Sequence, residues 1–124
     1  MAWESASAEQ SLLLETALAS YDCEKRMMFG GPAYFVNGNM FSGVHGRNIL
    51  LRLDQPDRAA IAAAHDEVGP FEPMGRPMRE YVALPEGLDL PAKELADWVG
   101  RSFAFAASLP PKEKKPSKRR VGDG

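Results

Sequence analysis

Residues 27 to 53, MMFGGPAYFVNGNMFSGVHGRNILLRL, are runs of aromatic and aliphatic strand formers cut by glycine-bearing breaks. Asn37-Gly38 lies between AYFV and NMFSGV, and Asn-Gly is the preferred filling of a two-residue type I′ hairpin turn. The turn predicts Val36 opposite Asn39, Phe35 opposite Met40 and Tyr34 opposite Phe41. Gly46-Arg47 reads as a second two-residue loop of type II′, with glycine first. It places His45 opposite Asn48, Val44 opposite Ile49 and Ser42 opposite Leu51. Side chains alternate across a sheet with period two. Ala33, Phe35, Met40, Ser42, Val44, Ile49, Leu51 and Leu53 are therefore expected on the core face. Tyr34, Val36, Asn39, Phe41, Leu50 and Arg52 are expected on the other, whose apolar content predicts that it is covered.

Helical periodicity flanks this block. Leu13, Leu14, Ala17, Leu18 and Tyr21 share one face of a helix expected from about Ala8 to Tyr21, with Leu12 opposite. Ser7 and Gln10 have the spacing of a capping box. A first strand follows, Lys25 to Phe29, and Gly30-Gly31-Pro32 either kinks it or separates it from a second. Asp54 starts a short alanine-rich helix with Pro56 and Asp57 in its first turn. After a connection from His65 to Pro70 and a loop around Met74 to Pro77, a strand is expected from Met78 to Leu84. The longest apolar stripe, Leu95, Trp98, Val99, Phe103, Phe105, Ala106 and Leu109, predicts a helix over residues 91 to 109 that lids the core. Pro110-Pro111 stops it. The order is α-β(3-4)-α-β(2)-α, an α+β fold in which helices cover an antiparallel sheet in two layers.

Composition divides the chain in two. A folded domain over residues 1–110 precedes a tail, 111–124, that lacks a hydrophobic period and is expected to be disordered. The tail holds six basic residues against Glu113 and Asp123, leaving nine basic and fifteen acidic residues in the body. An acidic body argues against duplex binding, so any nucleic-acid contact is expected through the tail alone. No apolar run is long enough to span a membrane. With no basic, apolar leader at the N-terminus, the expectation is a cytoplasmic protein.

Candidate chemistry is sparse. Cys23, the single cysteine, has Lys25 and Arg26 nearby to lower its pKa, yet a lone cysteine after a helix is ordinarily packed. His45 and His65 fit no metal-ligand spacing and read as surface residues. Asp54 with Asp57 is explained by helix capping, and Asp66 with Glu67 by a solvated loop. GGPAYFVNG lacks the phosphate-loop pattern and a following helix. No catalytic residue, cofactor or metal is expected. Met74, Met78, Arg76 and Arg79, around a loop rich in glycine and proline, form either an adaptable contact surface or a core Met78 beside solvated arginines. Met74, Arg76 and Arg79, together with Tyr34, Val36, Phe41 and Leu50, are the interface candidates.

At MFGGPAYFVNGNMF the sequence resembles the TfoX N-terminal domain family, the TfoX/Sxy group of competence regulators. Met28, Phe29, Gly30, Gly31, Gly38, Met40 and Phe41 carry the likeness. ILLRL, Tyr81, LPEGLDL, Trp98 and FAFAASLP follow in order, so that it covers roughly residues 20 to 110. It implies an α+β, secretion-chaperone-like domain and a regulatory role in transcription of bacterial competence genes. Full-length members carry a further helical domain where this sequence has a short basic tail. The resulting expectation is a non-enzymatic interaction module with an unidentified protein partner, assembling as a homodimer. The alternatives are a nucleic-acid-associated regulator, with Tyr34 and Phe41 stacking bases on an open sheet, and an enzyme acting on a small molecule.

Overall fold

The computed structural model describes residues 6–28, 30–72 and 78–111. Its elements run α1 (Ala8–Ala17), β1 (Glu24–Met28), β2 (Gly31–Val36), β3 (Asn39–His45), β4 (Asn48–Arg52), α2 (Gln55–Ala64), β5 (Gly69–Phe71), β6 (Met78–Pro85) and α3 (Ala92–Ser108). The six strands form one antiparallel sheet in the order β1-β2-β3-β4-β6-β5. This is the expected α+β architecture, with helices packed on the sheet.

Local chemistry fixes the turns. Asn37 and Gly38 take φ of 53° and 80°, as a type I′ turn requires, and Gly46 at 59° precedes an Arg47 with ordinary φ, as type II′ requires. The Gly-Gly-Pro break separates two strands: Met28 pairs with Gly31 across a tight reversal in which Gly30 has φ 81°. Pro32 then sits second in β2, close to the strand start, where a missing N–H is best tolerated.

The β3–β4 register is the predicted one, His45 with Asn48, Val44 with Ile49 and Ser42 with Leu51. The β2–β3 register departs from expectation after two pairs. Val36 faces Asn39 and Phe35 faces Met40, but Tyr34 faces Ser42 and Ala33 faces Gly43. Phe41 is thus the extra residue of a β-bulge, and a bulge shifts the alternation by one. The expected division of the faces is therefore wrong for half the sheet. Tyr34, Phe41, Val44, Ile49, Leu51 and Leu53 all belong to the main core, with Val36 packed against it. Ala33, Phe35 and Met40 point the other way, beside Leu50.

Side chains complete the hydrogen bonding at the bulge. Ser102 Oγ of α3 donates to the Phe41 carbonyl at 2.7 Å, Tyr81 Oη and Arg52 Nη1 donate to the Met40 carbonyl at 3.0 and 3.3 Å, and Ser42 Oγ donates to Leu50 O at 2.8 Å. Gly43 is required at this crossing, because a Cβ there would lie 2.8 Å from the Pro32 carbonyl oxygen.

The main core lies between the sheet and the helices. Leu14 and Leu18 from α1 and its end, Ile61 from α2, and Leu95, Trp98, Val99 and Ala106 from α3 pack on it. The stripe of α3 is the predicted lid. Phe103 stands edge-on to Phe41, centroids 5.4 Å apart, and stacks at a tilt on Tyr21 at 4.9 Å. Helix α1 is shorter than expected and turns out at Leu18. Leu13, expected in the core with Leu14, is 43% exposed, and Leu12 is 65% exposed. Gln10 takes the buried position instead, its Nε2 donating to Arg47 O (3.0 Å) and Leu84 O (3.2 Å). Only half of the predicted capping box forms: Ser7 Oγ accepts from Gln10 N, while the amide of Gln10 ties α1 to the sheet.

Candidate functional site

The sheet face away from the helices is built by residues that pair outward of the bulge. Toward β1, Arg26 bridges Glu24 at 3.0 Å and lies 4.4 Å over the ring of Phe35, which a cation–π contact and the arginine stem cover. Toward β6, Leu50, Phe71 and Tyr81 form a second small cluster with Met40 and Ala83 against it. Arg52 ion-pairs with Glu80 at 2.7 Å and stands 5.7 Å from the Tyr81 ring centre. Burial pushes the Tyr81 hydroxyl above its ordinary pKa, partly offset by the Arg52 charge. Phe35, Leu50, Phe71 and Tyr81 are each no more than 9% exposed. This face is therefore no open apolar patch.

A concavity opens on it, a groove of about 490 Å³ at the end of the sheet where β3 turns into β4. Phe71, Ala83 and Pro85 give it an apolar floor, His45 and Asn48 one side, and Glu67 and Glu72 lie among its lining residues. The His45 ring meets Phe71 edge-on, centroids 5.3 Å apart. Both glutamates are exposed, and neither has an ion pair with another described residue. The groove thus combines apolar contact area with unneutralised negative charge.

The interface residues expected from sequence do not come together here. Tyr34 and Phe41 are 5% and 0% exposed beneath the helices, which removes them both as a contact patch and as stacking residues. Val36 packs against the same core, and Leu50 alone belongs to the outer face, 3% exposed in its cluster. Arg79 is exposed on β6. Met74 and Arg76 lie outside the described residues.

The candidate reactive groups have structural neighbours. Burial, and then Asp22, raise the thiol pKa of Cys23, so the neighbouring cations do not activate it. Asp54 accepts from Gln55 N as the cap of α2, and Asp57 pairs with Arg101 at 2.9 Å. His65, read from sequence as a surface residue, places Nε2 2.7 Å from Glu94 Oε2, which also accepts from Trp98 Nε1 at 3.1 Å. These two contacts, the His65 one foremost, lower the Glu94 pKa. Ser7 Oγ and Arg47 Nη1 both donate to Glu86 at 2.7 Å and lower its pKa likewise. Sequence reasoning missed both latches, because Glu86 lies 39 and 79 residues from its partners and Glu94 lies 29 from His65. Among the described residues no group of three or more His, Cys, Asp and Glu could hold a metal, and no helix is long and apolar enough to cross a membrane.

Among the described residues, one antiparallel sheet with three helices packed on one face and a groove on the other makes a two-layer α+β domain. The family model for the TfoX N-terminal domain matches residues 17–106, and the chain belongs to that family. Searches of curated proteins and of solved structures find no match to it.

Proposed function

We propose that this chain is a non-enzymatic regulatory module that acts by binding another protein through the groove on its outer sheet face. The observation that carries the reading is the groove itself. A shallow, open concavity with an apolar floor and an exposed acidic margin suits a peptide segment, whose side chains fill the floor while its charges meet Glu67 and Glu72. The residues that could have done chemistry support the same reading: the Cys23 thiol is pushed up and His65 is held by Glu94. Membership of the TfoX N-terminal domain family is in keeping with a role in transcriptional control, competence included, as part of this proposal.

Affinity capture with the tagged full chain tests this, run with and without nuclease and beside an Ala83→Arg variant that fills the groove floor. A protein retained by wild type after nuclease treatment and lost from Ala83→Arg is the expected result. Recovery of nuclease-sensitive material alone would replace the reading with nucleic-acid association. Equal capture by wild type and variant would move the contact surface elsewhere.

A further inference from the structure

We infer that the groove on the outer sheet face also receives this chain's own basic C-terminal segment, which competes there with the external partner. The inference rests on the reading of the groove as a contact surface. Charge complementarity supplies the first argument. Glu67 and Glu72 offer two exposed carboxylates without ion pairs to described residues, on a body with an excess of six acidic groups. Residues 112–124 carry a surplus of four positive charges, with Lys118, Arg119 and Arg120 in a row. Arginine suits this site, because its guanidinium pairs with a carboxylate through two parallel hydrogen bonds.

Reach supplies the second argument. The chain leaves α3 beside the β2–β3 turn, where Asn39 Nδ2 donates to Pro110 O at 3.1 Å. From there to the groove the path runs the length of β3, about 20 Å, and crosses two strand spacings to β6, about 10 Å. Because the exit lies at the hairpin end, the segment rounds the sheet over the turn instead of passing through a layer. Seven residues lie between Pro111 and Arg119. The extended chain over those eight spacings reaches at most about 26–29 Å, close to the length of that path, and the long arginine side chain makes up the difference. Arg119 and Arg120 are thus the first tail cations able to arrive at the groove, with Lys118 beside them, while Lys112, Lys114 and Lys115 fall short. Mutual repulsion among those lysines favours the extension that the path needs. Contacts of this kind are exposed and weakly held, as suits a segment that a partner must displace.

Backbone amide NMR of the full chain, at low salt and at about 1 M salt, where charges are screened beyond about 3 Å, provides the test. Wild type is compared with a variant carrying Lys118→Gln, Arg119→Gln and Arg120→Gln, and with one carrying Glu67→Gln and Glu72→Gln. The amides of His45, Phe71 and Ala83 should shift between wild type and the tail variant at low salt. The difference should vanish at high salt and in the glutamate variant. Unchanged groove resonances in the tail variant would overturn the inference, as would shifts confined to another face. Shifts that disappear on dilution would assign the groove to the tail of a second copy and overturn the intramolecular form. The capture experiment remains an independent measure of the groove. A lost partner on Ala83→Arg with no tail-dependent shifts would sink the inference alone. Where both hold, the tail variant should retain more partner than wild type.

Discussion

At the scale of single residues, burial and hydrogen bonding make opposite demands on two aromatic side chains that stand under α3. Phe41 is fully buried, packed edge-on against Phe103, and it is the extra residue of the bulge. Phe41→Ala should cost about 3–5 kcal/mol in a denaturant titration. A loss below about 1 kcal/mol, typical of exposed sites, would return Phe41 to the outer face. Tyr34 is 5% exposed, and its hydroxyl has no hydrogen-bond partner among the described residues. Burial, with Glu15 and Cys23 nearby, raises its pKa, so the group stays a neutral phenol. Removing an unpaired buried hydroxyl relieves a desolvation penalty at little packing cost. Tyr34→Phe should leave stability unchanged or raise it by about 1 kcal/mol. A comparable loss would show that the hydroxyl is bonded in solution.

At the scale of elements, legibility follows the range of the forces involved. The two glycine turns, the Pro stop after α3 and the acidic start of α2 are set by neighbouring residues, and each lies where the sequence puts it. The bulge does not depend on its neighbours alone. Asn-Gly sets the first two pairs of the hairpin, and then Ser102, Tyr81 and Arg52, 12 to 61 residues away, donate to the displaced carbonyls. Because strand period is two, that one distant arrangement reversed the faces of Tyr34, Phe35 and Met40 and dissolved the apolar patch that alternation predicted. The groove was illegible for the same reason: β5 brings Phe71 beside Ala83 and His45 only through a long-range pairing. Ser102→Ala tests the bulge. It leaves the buried Phe41 carbonyl without its donor and should cost about 1–3 kcal/mol. The exposed Ser108, whose Oγ bonds within its own turn, should change stability by less than about 0.5 kcal/mol as Ser108→Ala. Equal effects would mean that the bulge carbonyl has another donor.

At the scale of the whole molecule, the three helices of the described residues sit on one face of the sheet, and two carboxylates tie their ends to the rest. Glu86 joins the start of α1 to the β3–β4 turn through Ser7 and Arg47, and Glu94 joins the end of α2 to α3 through His65 and Trp98. Both have pKa values below the ordinary glutamate value. A carboxyl group with a lowered folded pKa contributes stability above its unfolded value and loses that contribution as pH falls through the folded one. The two carboxylates should therefore contribute their stability above the ordinary glutamate value and lose it as the pH falls through that value toward the lower folded one. Urea midpoints from pH 7 to pH 3 (on the order of the span over which glutamates titrate) check this against a Glu86→Gln, Glu94→Gln double variant. Glutamine keeps the shape and cannot titrate. The variant should be the less stable protein at neutral pH, should fall less steeply on acidification, and should approach wild type at the acid end. Parallel curves across the whole range would show that other carboxylates set the acid limit and that the two latches position the helices without steadying them.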